Sequence, residues 1–447
     1  MRDLVLLGIF AGGSLLALRT PWIGAILWTW ISLMSPHAEF GYAASSWPVA
    51  SGIAGCTIIG LLLTKHKQNP LMGAPMVLTL AFTIWITITL PFSFYFDASL
   101  GLWQRSMKIF LMLFVTVALI DDRRKLDVFI WTMVVSIGYY GVKGGLFTIA
   151  TAGNYRIWGP GGFIGGNNEL ALALIVIIPF MRYLQTQQSN RWVKIGLTVS
   201  MGLCALAALG TYSRGAFIGV AAMAAFFWWR SRQKALWGII IVVISIGALG
   251  VMPDQWWDRM STIKSYDADQ SAMGRISAWW MAFNIAKSNL FGGGFMIYEL
   301  AIAAQYSPDP NHARAAHSIY FQVLGEQGFI GLFIWLTIGV STWITASRLI
   351  RSSTAFPEYK WAEELGRMVQ VSMIGYAATG AFLSLAYFDL PYNFAAVAVL
   401  ALHFVRKSQV ERVASLKANA AVLGSSQERQ PANSVPGHRP LLRPPQS

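Results

Sequence analysis

The residues of this chain with chemistry to offer are arginines and a histidine set at the margins of long apolar runs. Arg105, Lys108, Lys143, Arg156, Arg214, Arg275, Arg314, His312 and His317 stand apart from the loops richest in Lys and Arg. A guanidinium stays charged and grips phosphate oxygens through parallel N–H donors, so several arginines around one cavity suit a diphosphate headgroup. A neutral imidazole among them can take a proton from an alcohol. No Asp, Glu and His cluster has metal-ligand spacing, and Cys56 and Cys204 lie inside apolar runs, so the expected chemistry needs no metal.

Four blocks surround these residues. Gly159-Pro160-Gly161-Gly162-Phe163-Ile164-Gly165-Gly166 leads into Asn167, Asn168 and Glu169, where an asparagine is a candidate helix cap and Glu169 is either a buried structural acid or a site residue. Tyr212-Ser213-Arg214-Gly215 turns one apolar run into the next, and the following helix N-terminus could cradle an anion. Gly274-Arg275-Ile276-Ser277-Ala278-Trp279 opens an outer helix that Asn289-Leu290-Phe291-Gly292-Gly293-Gly294-Phe295 closes, by expectation with a flexible turn. His317-Ser318 opens the run containing Gly325-Glu326-Gln327-Gly328-Phe329-Ile330-Gly331. Each cation has a bland reading as well: a snorkelling side chain for Arg105, Lys108 and Lys143, a surface ion pair with Asp267 or Asp269 for Arg275.

The elements that must hold these residues are membrane spans. Hydrophobic residues make up 55% of the 447 and charged residues 12%, against roughly 45–50% and about 25% in soluble domains, and the mean hydropathy is +0.50. A soluble enzyme, a disordered chain, a collagen and a coiled coil are excluded. Apolar runs at 49–64, 75–91, 100–120, 126–150, 167–181, 193–210, 214–229, 235–251, 318–347, 368–386 and 391–405 read as crossings of a ~30 Å hydrocarbon core. Residues 3–18 and 21–35 add either a hairpin or one broken crossing. The expected fold class is all-α, a polytopic integral membrane protein of about 12 transmembrane helices occupying residues 1–407, with a large helical outer segment at about 252–317. A polar, Pro-rich tail at 408–447 is expected to be disordered.

Lys plus Arg number 34 and Asp plus Glu 20, a net charge of +14. Nucleic acid is not the implied partner, because the positive charge sorts into alternate loops at 65–67, 123–125, 182–194, 230–234, 348–367 and 406–407. The loops at 36–48, 92–99 and 387–391 carry no Lys or Arg. The positive-inside rule makes the first set cytoplasmic, with the C-terminus, and leaves 151–166 and 252–317 outside.

Taken in order, Asn-Glu before a span, Ser-Arg-Gly at the next outer turn, Gly-Arg followed by Trp279, the Phe-Gly-x-Gly-Phe turn and His317 before a Glu-x-Gly-x-x-Gly helix resemble the O-antigen ligase and polymerase superfamily of bacterial envelope glycosyltransferases. The resemblance covers roughly 150–350. It departs at Asn289, often Pro, and at Ser318, often Asn; Leu18-Arg19-Thr20-Pro21-Trp22-Ile23-Gly24 resembles a subgroup tied to O-glycosylation. The resemblance implies transfer of a glycan from undecaprenyl diphosphate to a sugar hydroxyl of lipid A-core, at the periplasmic face of the inner membrane, with inversion and without a cofactor. In it Arg214 and Arg275 stabilise the departing diphosphate and His317 activates the hydroxyl. Arg105, Arg156, Arg314, Asn168 and Glu169 complete the donor pocket. The same superfamily offers a polymerase or a protein O-oligosaccharyltransferase as alternatives. A lipid-linked glycan transporter is disfavoured because the ionisable residues gather at the outer end rather than along a mid-membrane path.

Overall fold

The computed structural model describes residues 2–41, 47–230 and 270–427, with 234, 250, 253, 254 and 257 as isolated positions. All regular structure among them is helical. The expected crossing at 235–251, apart from position 250, and most of 252–269 lie outside the described residues.

The chain opens with α1 (Arg2–Arg19) and α2 (Pro21–Met34). They break where Pro21 takes the first helical position, the one place in a helix where its missing N–H is harmless. The two run antiparallel: a Cβ on Gly24 would stand 2.7 Å from that of Ala17, and one on Gly13 would stand 2.6 Å from Cδ1 of Leu27. The pair is therefore a hairpin, not a broken crossing.

After the short α3 (Pro36–Phe40) come α4 (Val49–Leu63), α5 (Gly73–Thr89), α6 (Phe96–Leu119), α7 (Arg123–Ala150), α8 (Asn167–Gln187), α9 (Arg191–Gly210) and α10 (Arg214–Arg230). Then follow α11 (Gln270–Ser288), α12 (Leu300–Tyr306), α13 (Ile319–Thr354), α14 (Lys360–Gly380) and α15 (Asp389–Gln427). Among the described residues six helices are long and apolar enough to cross a membrane: Gly73–Phe92, Phe96–Leu119, Arg123–Ala150, Asn167–Gln187, Arg191–Gly210 and Ile319–Thr354. Shorter apolar helices stand at Pro21–Met34, Val49–Leu63 and Arg214–Trp229.

Helix α8 is apolar all round from Leu170 to Ile177 and is buried accordingly, against α7, α9, α10 and α14. Its Phe180 stacks on Phe394 of α15, ring centroids 4.7 Å apart. Capping residues set the starts of neighbouring helices: Asp122 accepts from the N–H of Lys125 at 2.8 Å, and Asn190 from that of Trp192 at 2.8 Å.

Two features differ from the sequence reading. The run 368–386 is not one span, since α14 ends at Gly380 and 381–388 is a buried connection; its apolar residues read as more helix because burial, not lipid, is what they satisfy. Helix α15 is 39 residues long, about 58 Å, so 408–427, expected to be disordered, is helical. Tyr359 and Ser408 bond at 3.0 Å and Gln409 donates to the carbonyl of Ser352 at 2.8 Å, which holds the start of that extension on α13 and its following turn.

The bundle has two chemically different ends. Arg123 reaches Gln187 at 3.1 Å and lies 4.4 Å over the Trp361 ring, while Thr186 and Gln187 bond Glu364 at 2.7 and 3.0 Å. The loops rich in Lys and Arg thus meet at one end. At the other end meet the N-termini of α6, α8, α10, α13 and α15.

Candidate active site

The turn between α9 and α10 carries the first arginine. Ser213 Oγ accepts from the N–H of Ala216 at 3.2 Å and caps α10, so Arg214 is its first residue and Gly215 its second. Tyr212 has φ 59°, a left-handed conformation unusual for a residue with a side chain, and its hydroxyl donates to the carbonyl of Gly153. The Arg156 guanidinium lies 5.6 Å from the centre of that Tyr212 ring. Asn167 donates to the carbonyl of Thr211 at 2.8 Å, so the block at the head of α8 and the Ser-Arg-Gly turn are one unit. Asn168 is half-buried beside it. Glu169, third residue of α8, folds its carboxylate back over Gly166, the posture of an acid serving its own helix N-terminus.

Helix α11 carries the second. Arg275 and Trp279 are four residues apart and share a face. Trp279 Nε1 donates to the carbonyl of Ala316 at 2.7 Å, and its ring stacks on Phe321 with centroids 5.0 Å apart and planes 6° apart. That face therefore closes on the segment bearing His317, and the charge of Arg275 is felt there. Gly274 makes room for Arg314, whose Nε would stand 2.7 Å from a Cβ at that position. His317 itself has φ 43°, a strained backbone of the kind that persists only when its surroundings over-determine it. Its Nδ1 is buried and has no hydrogen-bond partner among the described residues. Burial holds the His317 pKa below the usual histidine value and Arg275 lowers it further, both disfavouring the charged ring. His312 is a different case, exposed and 3.0 Å from Asp309.

The turn at 291–295 is docked rather than flexible. Gly328, with φ 70° and ψ −176°, interrupts α13 and leaves carbonyls before it without their ladder partners. The N–H groups of Gly293 and Gly294 donate to the carbonyls of Gly325 and Glu326 at 2.9 and 3.0 Å, and the N–H of Phe94 donates to Gly293 at 2.9 Å. Gly292, at φ 73°, comes so close that a Cβ would stand 2.6 Å from the Glu326 carbonyl and the Gly328 nitrogen. The Phe-Gly-x-Gly-Phe and Glu-x-Gly-x-x-Gly patterns are the two halves of this backbone contact.

The connection at 381–388 gathers the blocks. A Cβ on Gly215 would stand 3.3 Å from that of Phe382, and one on Gly380 would stand 2.5 Å from Cδ1 of Ile319, two residues after His317. Ala386 donates its N–H to Gln322 Oε1 at 3.1 Å. Phe388 packs on Phe163 at 6.1 Å, and the Arg105 guanidinium lies over that Phe163 ring at 4.0 Å. Asp389 accepts from Ser32 at 2.6 Å. Arg214 and His317 thus flank one buried loop, with Arg105 at its far end and Arg156 behind Arg214. Lys143 is drawn off into an ion pair with Glu39, and Lys108 is exposed on α6. Sequence reading missed the loop, which is uncharged, and the clamp by Trp279, whose only signal is its spacing from Arg275.

Arg214 opens α10, whereas Arg275, expected to open its helix, lies in the second turn of α11, which begins at Gln270; with the strained His317 they recur in the order of the motifs read from the sequence. Residues 199–336 match the O-antigen ligase family. The ligase-family segment runs from α9 into α13 and holds Arg214, Arg275, Arg314 and His317. Residues 1–189 match a family of unknown function, DUF5935, and supply Arg105, Arg156, Asn168 and Glu169. A comparison with curated proteins finds no match. The O-antigen ligase and polymerase superfamily expected from the motifs is the one matched, on a multi-pass helical membrane protein. Among the described residues no group of three or more His, Cys, Asp or Glu is placed to hold a metal ion.

Proposed function

We propose that the protein transfers a glycan from undecaprenyl diphosphate to a sugar hydroxyl of lipid A-core at the periplasmic face of the inner membrane, with inversion and without metal or cofactor. The observation that carries this reading is the placement of a buried, strained His317 on the segment that the Arg275 helix clamps through Trp279, with the Arg214 turn packed on the connection at 381–388, inside the ligase-family segment. The acceptor hydroxyl gives its proton to the imidazole and its oxygen bonds to the anomeric carbon. The bond from that carbon to the diphosphate oxygen breaks, and the diphosphate leaves with the electron pair. Arg214 and Arg275 meet the charge that develops on it, with Arg105, Arg156 and Arg314 completing a cationic surround and Asn168 and Glu169 shaping its floor. The basic end of the bundle faces the cytoplasm, with the end of α15, and the site faces outward.

The test is transfer by purified protein from an undecaprenyl-diphosphate glycan, with lipid A-core, a growing glycan chain and a Ser/Thr peptide offered in parallel and a chelator present. Glycosylated lipid A-core supports the proposal. Product on the glycan or the peptide alone moves the protein to the polymerase or oligosaccharyltransferase reading, a strict divalent-ion requirement removes the metal-independent step, and no product on any acceptor ends the transferase reading.

A further inference from the structure

The strip between α7 and α8 presents an aromatic ring on a fixed backbone. Ile157 anchors the strip: its N–H donates to the carbonyl of Gly210 at 3.0 Å, and its side chain is buried against Gly144 and Gly210. The N–H of Gly159 donates to the carbonyl of Gly165 at 3.1 Å and closes the glycine loop that follows. Trp158, held between these two bonds, is nonetheless 62% exposed. An indole is a large apolar surface, and one that a held backbone leaves uncovered beside a site is ready for a ligand.

Its neighbours say which ligand. The Arg156 guanidinium lies 5.9 Å from the centre of the Trp158 ring and 5.6 Å from that of Tyr212, two residues before Arg214. Among the described residues Arg156 has these ring contacts and no hydrogen-bond or ion-pair partner, so its donors are unused. Tyr155 is a different case. It turns to Phe147, ring centroids 6.4 Å apart, at the end of α7 where Leu146 and Ile149 are also exposed. Tyr155 thus continues the apolar outside of the bundle, whereas Trp158 stands with Arg156 and Tyr212 on the side of the Arg214 turn.

We infer that Trp158 is a stacking platform for a sugar ring of the donor glycan or of the acceptor, with Arg156 fixing its orientation. The inference rests on the proposed glycan transfer and adds where a saccharide is held. A pyranose shows C–H bonds on one face and hydroxyls around its rim. The C–H face lies on the electron-rich face of an indole, and the planar guanidinium donates to two neighbouring oxygens of the rim. A diphosphate has no use for the ring, which carries no charge to meet it. Because the strip is pinned to Gly210 and Tyr212, a sugar stacked on Trp158 is held in register with Arg214.

The test is Trp158→Ala, which removes an exposed ring and leaves the strip's anchors in place. The variant is expected to raise KM for one sugar-bearing substrate about five- to tenfold: a rise for the glycan donor assigns the stacked ring to the donor, a rise for lipid A-core assigns it to the acceptor. Inhibition by undecaprenyl diphosphate without a sugar should not change. Trp158→Phe should restore most of the affinity and Trp158→Leu none, since leucine is apolar but has no ring face. Unchanged KM for both substrates overturns the inference. So does wild-type behaviour of the leucine variant, or an equal weakening of the sugar-free lipid, either of which makes Trp158 a membrane anchor. Saturation-transfer NMR with the lipid-free saccharides of donor and acceptor gives a readout independent of transfer, a signal expected with the wild-type protein and lost in Trp158→Ala. Equal signals from the two proteins overturn the inference while the proposed reaction stands. Saccharide binding through Trp158 without transfer to any acceptor keeps the platform and removes the reaction.

Discussion

The indole N–H of Trp279 meets the carbonyl of Ala316 at 2.7 Å, one residue ahead of His317. The bond ties the helix that carries Arg275 to the strained backbone of the histidine, and the Phe321 stack locks the ring that makes it. Replacing Trp279 by Phe keeps the stack and removes the bond, a loss of about 1 kcal/mol. Transfer is expected to fall about fivefold, with donor affinity unchanged. A Trp279→Phe protein with wild-type turnover would show that the clamp does not position the site.

The acid limb of the rate profile should report His317. The base works when deprotonated, and burial with the Arg275 charge lowers its pKa from the ordinary value of about 6.5. Transfer should therefore stay level down to pH about 6.5 and fall only below it. In Arg275→Ala the residual activity should lose its acid limb at a higher pH, because the depressing charge is gone. A limb that stays in place after that substitution would detach the histidine from Arg275. His317→Ala should depress transfer by ~10²–10⁴ while the donor still binds, and His312→Ala should be near normal.

Arg214→Ala and Arg275→Ala are each expected to remove most transfer, with poor rescue by Lys, since a point charge does not reproduce two parallel N–H donors. The measurement is turnover at saturating acceptor in protein shown by size-exclusion chromatography to be folded. Full activity in either alanine variant would take that arginine out of the site.

The docked turn makes a stability prediction. Gly292→Ala would place a Cβ 2.6 Å from the Glu326 carbonyl in a left-handed conformation, for a cost on the order of 1–3 kcal/mol. Thermal unfolding in detergent should shift down clearly. Gly161→Ala, at φ 118° but with open space around it, carries the backbone strain alone and should shift less. Equal shifts would mean that the backbone contact between the turn and α13 is weak.

Much of this fold was legible in the sequence because membrane solvation writes itself into composition. Helix-length apolar runs and alternating basic loops located most helices and sorted their ends, and the motif order brought Arg214, Arg275 and His317 forward. What stayed hidden depends on contacts between backbones and on burial without charge. The connection at 381–388 looks like the end of a span, since protein interior and lipid select the same residues. The glycines at 292–294 look flexible in one dimension, yet they fit because Gly328 breaks a helix elsewhere in the chain. Glu169 reads equally as a structural acid or a site residue, and only the fold shows its carboxylate turned back over Gly166.

Orientation can be tested from outside the cell envelope. With Cys56 and Cys204 first replaced by Ser, a membrane-impermeant thiol reagent should reach Asn311→Cys in the exposed loop before His317 and should miss Asp122→Cys at the basic end. The reverse labelling pattern would turn the protein over in the membrane.

The ligase-family match stops at residue 336, in the middle of α13, and starts inside α9. The connection at 381–388, on which the Arg214 turn packs, and the guanidinium of Arg105 come from outside those borders. Recombination that exchanged the matched stretch between relatives would cut one helix in half and part the cations from the surface that encloses them. The smallest heritable unit able to keep its chemistry through such an exchange extends from α6 through the beginning of α15.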